Sequence, residues 1–286
     1  MNLILKFIRL KFKTLSAVSP SSAARQAMDL FQRPHFQKLR EREKEFLDRC
    51  EIIRMPFSGE DIIFYQYGDK AGQNVLMIHG WDSNPGSMGG IATKLGDMGF
   101  NVLLYNVPAH GISVQKTTNM LYVSEILAEV LKRLSKDGEI SVVTHSFGSG
   151  AISFALKKTG IKVDKIVFVT SPDKLYDIFY DYALRIGLSL KALKIMCHMT
   201  EKRFNRSFDD MHVSKQLRDS KFNGLLLVHD KNDTVLPFKN VEKIASLNQN
   251  SLLFPTEGKG HYRILWDDKV IFGISDFLSG QIPVQV

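Results

Sequence analysis

The sequence predicts an α/β protein built on a doubly wound, mostly parallel sheet. From about residue 51 onward, short apolar runs alternate with segments of helical period. Nearly continuous apolar runs are typical of parallel strands that are covered on both faces, and their alternation with helices is the pattern of a doubly wound sheet. The runs lie at 75–78, 102–105, 140–143, 166–169, 225–228 and 251–254. The helical segments lie at about 86–98, 118–136, 147–159, 238–247 and 267–279.

A pair of strands precedes these units. Residues 52–57 and 62–67 are rich in strand-forming side chains and flank the turn sequence Ser58-Gly59-Glu60, so we expect a hairpin.

Composition limits the classes of function. The chain has 286 residues with 44% hydrophobic content, enough for a large buried core. Its two cysteines, Cys50 and Cys197, form no C-x-x-C and no disulfide framework, so we expect structural thiols in a reducing, cytoplasmic setting. None of the eight histidines has the spacing of a metal motif such as H-E-x-x-H. We therefore expect neither a metal nor a cofactor.

The N-terminal segment, residues 1–50, is predicted to be a basic helical arm. Residues 1–54 carry 12 Lys or Arg against 6 Asp or Glu, which is most of the net charge of +8. A nucleic-acid-binding protein more often carries such charge on a folded face, so we expect no nucleic-acid partner. The run Leu3–Lys13 is amphipathic and has no acidic residue. It is too charged and too short to span a membrane.

Three interpretations of this arm stay open. Residues 1–20 could lie in the plane of an anionic membrane surface, so that the protein is peripheral. The arm could instead pack on the body, or it could be a transit peptide, which is also poor in acidic residues. Residues 20–50 are predicted to be helical and exposed.

The sequence Thr144-His145-Ser146-Phe147-Gly148 follows an apolar run and precedes a helical segment. A serine on a tight turn between a buried strand and a helix has its hydroxyl pushed out of the backbone, as in the G-x-S-x-G nucleophile elbow. Ser146 is therefore the candidate nucleophile, and a base must take its proton.

Asp233 and His261 follow two later strands, in that order. His261 stands in a glycine-flanked loop and is the candidate base, since imidazole exchanges protons near neutral pH. Asp233 is the candidate acid that would orient it, with Asp230 and Asp173 as rivals. The histidines that flank other strand ends are expected to be structural or to line the pocket; they are His79, His110, His145 and His229.

The oxyanion of an acyl-transfer reaction needs hydrogen-bond donors. The backbone N–H of Phe147, at a helix start, is one candidate, and that of Trp81, after the first parallel strand, is the other. Gly80 lets the backbone turn close to the substrate. We expect His79, Gly80 and His145 to line the substrate pocket.

About fifty residues between Val169 and Leu225 contain no predicted strand. The stretch from Leu175 to Met211 is helical in pattern and rich in aromatic residues, so we expect residues 171–221 to form a cap or lid over the site. The alternative is a pair of ordinary packing helices. The core would then comprise residues 51–170 and 222–286.

At these residues the chain resembles the α/β-hydrolase superfamily, over roughly residues 50–280. The order Ser146, Asp233, His261 is that family's order, and Ala109-His110-Gly111-Ile112-Ser113 resembles its G-H-G-x-S turn. The resemblance implies an eight-stranded, mostly parallel sheet with a cap after the sixth strand. Three positions depart from the family pattern. They are Thr144, where bulk crowds the elbow, Asn106, where aspartate is frequent, and Ala109, where glycine is frequent.

The resemblance implies a serine hydrolase that cleaves carboxylic esters through an acyl-enzyme. The aromatic insertion and the basic arm favour an apolar or lipid-like acyl ester as the small-molecule substrate. Two alternatives stay open, because this fold hosts many reactions. One is a thioesterase or acyltransferase that uses the same triad, and the other is a non-catalytic ligand-binding protein.

Overall fold

The structure is a computed structural model of the chain that describes residues 3–35, 38–58 and 60–281. Its strands are β1 (Glu51–Phe57), β2 (Glu60–Gly68), β3 (Asn74–Ile78), β4 (Asn101–Asn106), β5 (Ile140–His145), β6 (Lys162–Val169), β7 (Lys221–Asp230) and β8 (Ser251–Thr256). They form one sheet in the order β1-β2-β4-β3-β5-β6-β7-β8. β2 runs antiparallel to both of its neighbours, and every other pairing is parallel. The predicted eight-stranded, doubly wound sheet is confirmed.

The helices begin and end close to the predicted positions within the core. They are α1 (Leu3–Val18), α2 (Pro20–Phe31), α3 (Glu41–Leu47), α4 (Gly89–Asp97), α5 (Met120–Leu134), α6 (Phe147–Thr159), α7 (Leu175–Ile186), α8 (Leu190–Phe204), α9 (Val213–Arg218), α10 (Lys239–Leu247), α11 (Gly260–Arg263) and α12 (Asp268–Ser279). Short 3₁₀ turns lie at Pro85–Met88, Phe208–Asp210 and Ile264–Trp266. The sequence pattern missed α9 and α11, which are too short to show a helical period.

The sheet lies between two apolar layers. Helices α5, α6, α9 and α10 cover one face, and α3, α4 and α12 cover the other. The run 75–78 of β3 is apolar throughout because its side chains point alternately into the two layers. Leu76 and Ile78 belong to the first layer, Val75 and Met77 belong to the second, and all four are buried.

The contacts divide the chain into two compact units. One comprises the described residues of Met1–Pro34 together with Lys174–His212, and the other comprises those of His35–Asp173 and Val213–Val286. This grouping differs from the boundaries predicted from the sequence, because the first two helices join the insertion instead of forming an arm of their own.

The first unit contains the helices α1, α2, α7 and α8, which are joined by hydrogen bonds. The amide of Ser189, at the start of α8, donates to Ser16 Oγ of α1 at 3.2 Å, and Tyr182 Oη of α7 donates to the Ala27 carbonyl of α2 at 3.0 Å. The prediction that residues 20–50 are exposed is wrong for α2. Its Ala23, Ala24 and Ala27 are fully buried, because small side chains let neighbouring helices approach closely.

No helix in residues 3–35, 38–58 or 60–281 combines the length and the apolarity that crossing a bilayer requires.

The turn after β4 contains two left-handed residues, Ala109 (φ 64°) and Gly111 (φ 51°). A β-carbon on Gly111 would lie 2.2 Å from Asn106 Oδ1, so only glycine fits there. Asn106 Nδ2 donates to the His110 carbonyl at 3.0 Å, and the Ala109 amide donates to Ser113 Oγ at 3.0 Å. These bonds hold Ala109 in a backbone conformation that is unfavourable for a residue with a side chain.

We expect Ala109→Gly to stabilise the protein by about 1 kcal/mol, because glycine adopts positive φ without steric cost. Urea unfolding at neutral pH measures the change. Ala245→Gly, in the interior of α10, is the matched control and should destabilise by about 1 kcal/mol. Equal losses of stability in both variants would show that Ala109 is not strained.

Candidate active site

Ser146 stands between β5 and α6 with a positive φ of 52° and a ψ of −116°. Positive φ is uncommon for a residue other than glycine and is found where the surrounding structure enforces it. Its amide donates to the Val169 carbonyl of β6 at 3.1 Å, which fixes the turn to the neighbouring strand. The side chain is half-exposed. Within the described residues, its hydroxyl makes no hydrogen bond to His261.

Two glycines allow close packing around this turn. A β-carbon on Gly148 would lie 2.6 Å from the Ile78 carbonyl oxygen, so α6 can sit against the end of β3 only with glycine there. A β-carbon on Gly80 would lie 2.8 Å from His145 Nδ1 and 3.2 Å from Ser146 Cβ. The loop that follows β3 therefore runs directly past the serine.

Asp233 and His261 form a buried acid–base pair. His261 Nδ1 donates to Asp233 Oδ2 at 2.7 Å, and Asp233 Oδ1 accepts from the amides of Val235 at 2.7 Å and Leu236 at 3.0 Å. The carboxylate is fully buried. Burial by itself raises the pKa of Asp233, but the bonds from His261 and the two amides outweigh it and hold that pKa below its usual value.

The pair lies at the carboxyl end of the sheet, where α/β proteins place their sites. Asp233 follows β7, and His261 lies in α11 after β8. His145, the residue before Ser146, donates from Nε2 to the His261 carbonyl at 2.9 Å, and the two imidazole rings are 4.8 Å apart. The chain segments that carry Ser146 and His261 are thereby joined by a direct hydrogen bond.

The two rival carboxylates have other partners. Asp230 accepts from the Lys259 amide at 2.7 Å and from Thr256 Oγ1 at 2.9 Å, so it holds the histidine-bearing loop to the end of β7. Asp173 accepts from the Ser214 amide at 2.9 Å. The structure thus brings Asp233, and neither rival, onto the candidate base.

Two buried histidines fasten the loops at the strand ends. His79 Nε2 accepts from the Val107 amide at 3.2 Å, and His110 Nε2 accepts from the Asp82 amide at 3.1 Å. Since an amide can only donate, the proton of each ring is on Nδ1, where it is donated to the carbonyl of Gly80 or Pro108. Burial lowers the pKa of both imidazoles, which are therefore neutral.

Two further buried histidines surround the acid–base pair. Burial, reinforced by His261, lowers the pKa of His145 to about 3. His229 Nε2 donates to the Leu236 carbonyl at 2.9 Å and lies 3.6 Å from Asp233 Oδ2, and burial lowers its pKa as well.

The expectation that His79, Gly80 and His145 line the substrate pocket does not fit these positions. All three are buried, and both nitrogens of His79 and Nε2 of His145 have main-chain partners. They support the loops of the site from behind, because the carboxyl ends of parallel strands leave main-chain groups that need partners.

The two proposed oxyanion donors belong to adjoining segments. The rings of Trp81 and Phe147 are 5.2 Å apart, and Trp81 also packs on His110 at 5.3 Å. The Phe147 amide is the first of α6, where no carbonyl of the helix accepts it. The oxyanion role of the two amides stays a prediction.

Sequence reasoning overlooked Tyr262. Its ring is 4.9 Å from the His261 ring and 6.2 Å from the His145 ring, and it is half-exposed. It borders a small cavity that is also lined by Asp82 and Ser83 of the loop after Trp81. Its position directly after the candidate base was the only signal available.

Within the parts of the chain that the structure describes, no group of three or more His, Cys, Asp or Glu side chains is arranged to hold a metal ion.

The sequence and the fold of the chain are similar to those of known proteins. Residues 73–191 match the family described as alpha/beta hydrolase fold. A candidate lipase from Acinetobacter baumannii superposes with a TM-score of 0.65 at 14% identity, covering 86% of this chain and 98% of that one. An esterase from Pyrococcus furiosus gives 0.65 at 17% identity, covering 87% and 99%. The chain has the α/β-hydrolase fold.

Other structures with a similar fold differ in the activities that their names state. A membrane phospholipase A has a TM-score of 0.61 at 12% identity and covers 97% of both chains. A thioesterase domain from the curacin biosynthetic pathway has 0.58 at 14% identity, covering 80% of this chain and 99% of that one. No curated protein sequence matches the chain significantly. At such identities the likeness establishes the fold.

The structure accommodates Thr144, which departs from the family pattern at the serine turn. Thr144 Oγ1 and Ser149 Oγ are 2.7 Å apart in a fully buried hydrogen bond between β5 and α6. The hydroxyl thus has a partner inside the elbow, and α6 still begins directly after Ser146.

We expect the protein to lose stability as the pH falls from about 7 to about 5. The four buried histidines have lowered pKa values in the folded state, whereas the unfolded chain takes up protons near pH 6.5. The unfolded state therefore binds more protons in this window, which removes about 2 kcal/mol for each histidine that stays neutral. Urea unfolding at several pH values measures the slope.

Replacement of His145 by Gln should reduce that slope by about one proton, since its pKa is about 3 in the folded state. Replacement of the exposed His198 by Gln should leave the slope unchanged. A wild-type stability that does not change over this range would contradict the neutral state of these side chains.

Proposed function

We propose that this protein is a serine hydrolase that cleaves carboxylic esters through an acyl-enzyme on Ser146. The observation that carries the proposal is the buried 2.7 Å bond between Asp233 and His261, on the same edge of the sheet as a serine held at positive φ. A hydrogen-bonded acid, base and adjoining nucleophile are the parts that acyl transfer requires.

In the first half of the reaction, Ser146 Oγ attacks the ester carbonyl carbon while His261 Nε2 takes the hydroxyl proton. Nε2 is available for this because Nδ1 carries the proton bonded to Asp233. Asp233 is ionised and stabilises the imidazolium that forms. The carbon–oxygen bond to the alcohol then breaks, and His261 returns the proton to the departing alkoxide.

In the second half, water replaces the alcohol. His261 takes a proton from the water, the resulting hydroxide attacks the acyl carbon, and Ser146 leaves with the proton from His261. The amides of Phe147 and Trp81 would stabilise the negative oxygen in both halves, which is where preorganised donors contribute most to the rate.

The substrate is an ester with an apolar or lipid-like acyl group. The insertion between β6 and β7 contains aromatic side chains such as Tyr176 and Tyr180, which are partly exposed. Several structurally similar proteins are named lipase, esterase or phospholipase. We further propose that this insertion serves as a lid, because it follows a strand at whose carboxyl end sites of this architecture form.

A fluorophosphonate probe should label Ser146 in the folded protein, because an activated serine reacts with it and an ordinary hydroxyl does not. Peptide mass spectrometry identifies the labelled residue. Ser146→Ala should abolish labelling and lower kcat on p-nitrophenyl esters on the order of 10⁶-fold.

Ser149→Ala provides the matched control, because Ser149 is a second serine of the same elbow with a structural partner. It should keep its labelling. A folded wild type that is not labelled, or a Ser146→Ala variant that loses only a few-fold in kcat, would exclude the covalent mechanism. Rapid turnover of thioesters with slow turnover of esters would exclude ester specificity.

Asp233→Asn should lower kcat on the order of 10⁴-fold, because the amide cannot stabilise the imidazolium. Asp173→Asn, at the end of the neighbouring strand, should stay within about tenfold of wild type. Steady-state kinetics at pH 7.5 compares the two variants, with unfolding curves to verify that both are folded. The reverse ranking would assign the orienting role to Asp173.

A further inference from the structure

Helix α1 presents two apolar faces on opposite sides. Its inner face, with Phe12 and Ser16 buried, packs within the helical unit. Its other side carries an outward stripe of apolar side chains that are 63% to 79% exposed. The outward stripe consists of Leu3, Ile4, Phe7, Leu10 and Val18. A single exposed leucine is ordinary, but a run of them along one helix face marks an interaction surface.

A helical period by itself places Leu3 and Phe7 on the same face as Ile8 and Leu15, but the packing of the helix separates the two pairs. In the folded unit Ile8 and Leu15 are half-buried, whereas Leu3 and Phe7 are exposed. The apolar residues needed to fix the helix in the unit are therefore different from those left available outside it.

The charge around the outward stripe has one sign. Lys6, Lys11 and Lys13 are exposed, and none of them forms an ion pair within the described ranges. The helix has no acidic residue. Apolar side chains flanked by lysines fit a surface with an apolar interior and a negative boundary, which is the chemistry of an anionic bilayer. A second copy of the chain would bring a stripe with the same positive flanks, so like charges would meet.

The helix is preordered for such contact. Arg9 donates through Nη1 to the carbonyls of Leu184 and Arg185 at 3.3 Å each, which fixes α1 against the end of α7. A helix that is already folded avoids the conformational entropy cost that a disordered segment meets on binding.

We propose that the outward stripe of α1 docks this protein in the plane of an anionic lipid surface, with Phe7 and Leu10 entering the acyl boundary and Lys6, Lys11 and Lys13 contacting headgroups. Because α1, α7 and α8 belong to the same compact unit, they would move together on the membrane.

Co-sedimentation of the full chain with vesicles tests the apolar part. The vesicles contain phosphatidylcholine with about 30% phosphatidylglycerol at low salt. Phe7→Ser combined with Leu10→Ser should weaken partitioning by about 100-fold, at about tenfold for each lost apolar anchor. Phe272→Ser, which removes a similarly exposed phenylalanine from α12, is the matched control and should partition like wild type.

The charge part has its own pair of variants. Lys6→Gln with Lys13→Gln should weaken partitioning by about 30-fold, since each lysine near an anionic surface contributes about fivefold. Lys239→Gln with Lys243→Gln, on the exposed side of α10, changes the net charge equally and should have no effect. High salt, or pure phosphatidylcholine, should weaken wild-type binding and abolish the difference between the two pairs.

Binding is measured without substrate, so its result is separate from that of ester hydrolysis. Equal partitioning of wild type and the Phe7, Leu10 double variant would overturn the proposal. So would a wild type that is dimeric in analytical ultracentrifugation and becomes monomeric in that variant without any change in vesicle binding. That outcome would assign the outward stripe to a second copy of the chain.

Discussion

The hydrogen bond between Asp233 and His261 is the interaction on which the proposed chemistry depends. A carboxylate without solvent exposure would favour its protonated form, since burial disfavours charge. Here two main-chain amides and the imidazole together satisfy the carboxylate, so it stays ionised inside the protein. An ionised partner on Nδ1 leaves Nε2 as the ring nitrogen that can accept a proton. The tautomer of His261, and with it the capacity to activate a hydroxyl, follows from how the loop after β7 folds around Asp233.

The same logic explains why so many histidines lie at this edge of the sheet. Parallel strands that end in loops leave amides and carbonyls that no ladder satisfies, and a buried polar group without a partner is costly. A neutral imidazole both donates and accepts, so one side chain can satisfy an amide on one loop and a carbonyl on the next. His79 and His110 connect the loops after β3 and β4 in this way, and His145 connects the serine turn to the loop of His261. The geometry of the site therefore depends on residues that do not touch its surface.

The helical unit combines two features that are distant in sequence. Helices α1 and α2 from the N-terminus pack with α7 and α8 of the insertion, so a surface presented by α1 belongs to the same compact unit as the proposed lid. If esters with lipid-like acyl groups are the substrates, a unit that both contacts the lipid surface and contains the lid would couple membrane binding to entry of the substrate. The two proposals rest on independent observations. Membrane docking rests on the charge and the exposed apolar side chains of α1, and ester hydrolysis rests on the acid–base pair.

The sequence by itself determined the architecture of the core, because parallel strands buried on both faces must be apolar throughout, and that pattern is visible without coordinates. It also identified Ser146 and His261 as the candidate nucleophile and base by their order after strands, and it left three candidate carboxylates. Only the tertiary structure decided among Asp233, Asp230 and Asp173, since all three follow strand ends and only the loop geometry shows which carboxylate reaches the imidazole. It likewise decided that His79 and His145 support the site from within, and which face of α1 is exposed. A helical period shows that a helix is amphipathic, but which apolar side chains are buried depends on neighbours that lie 173 and 175 residues away in the sequence.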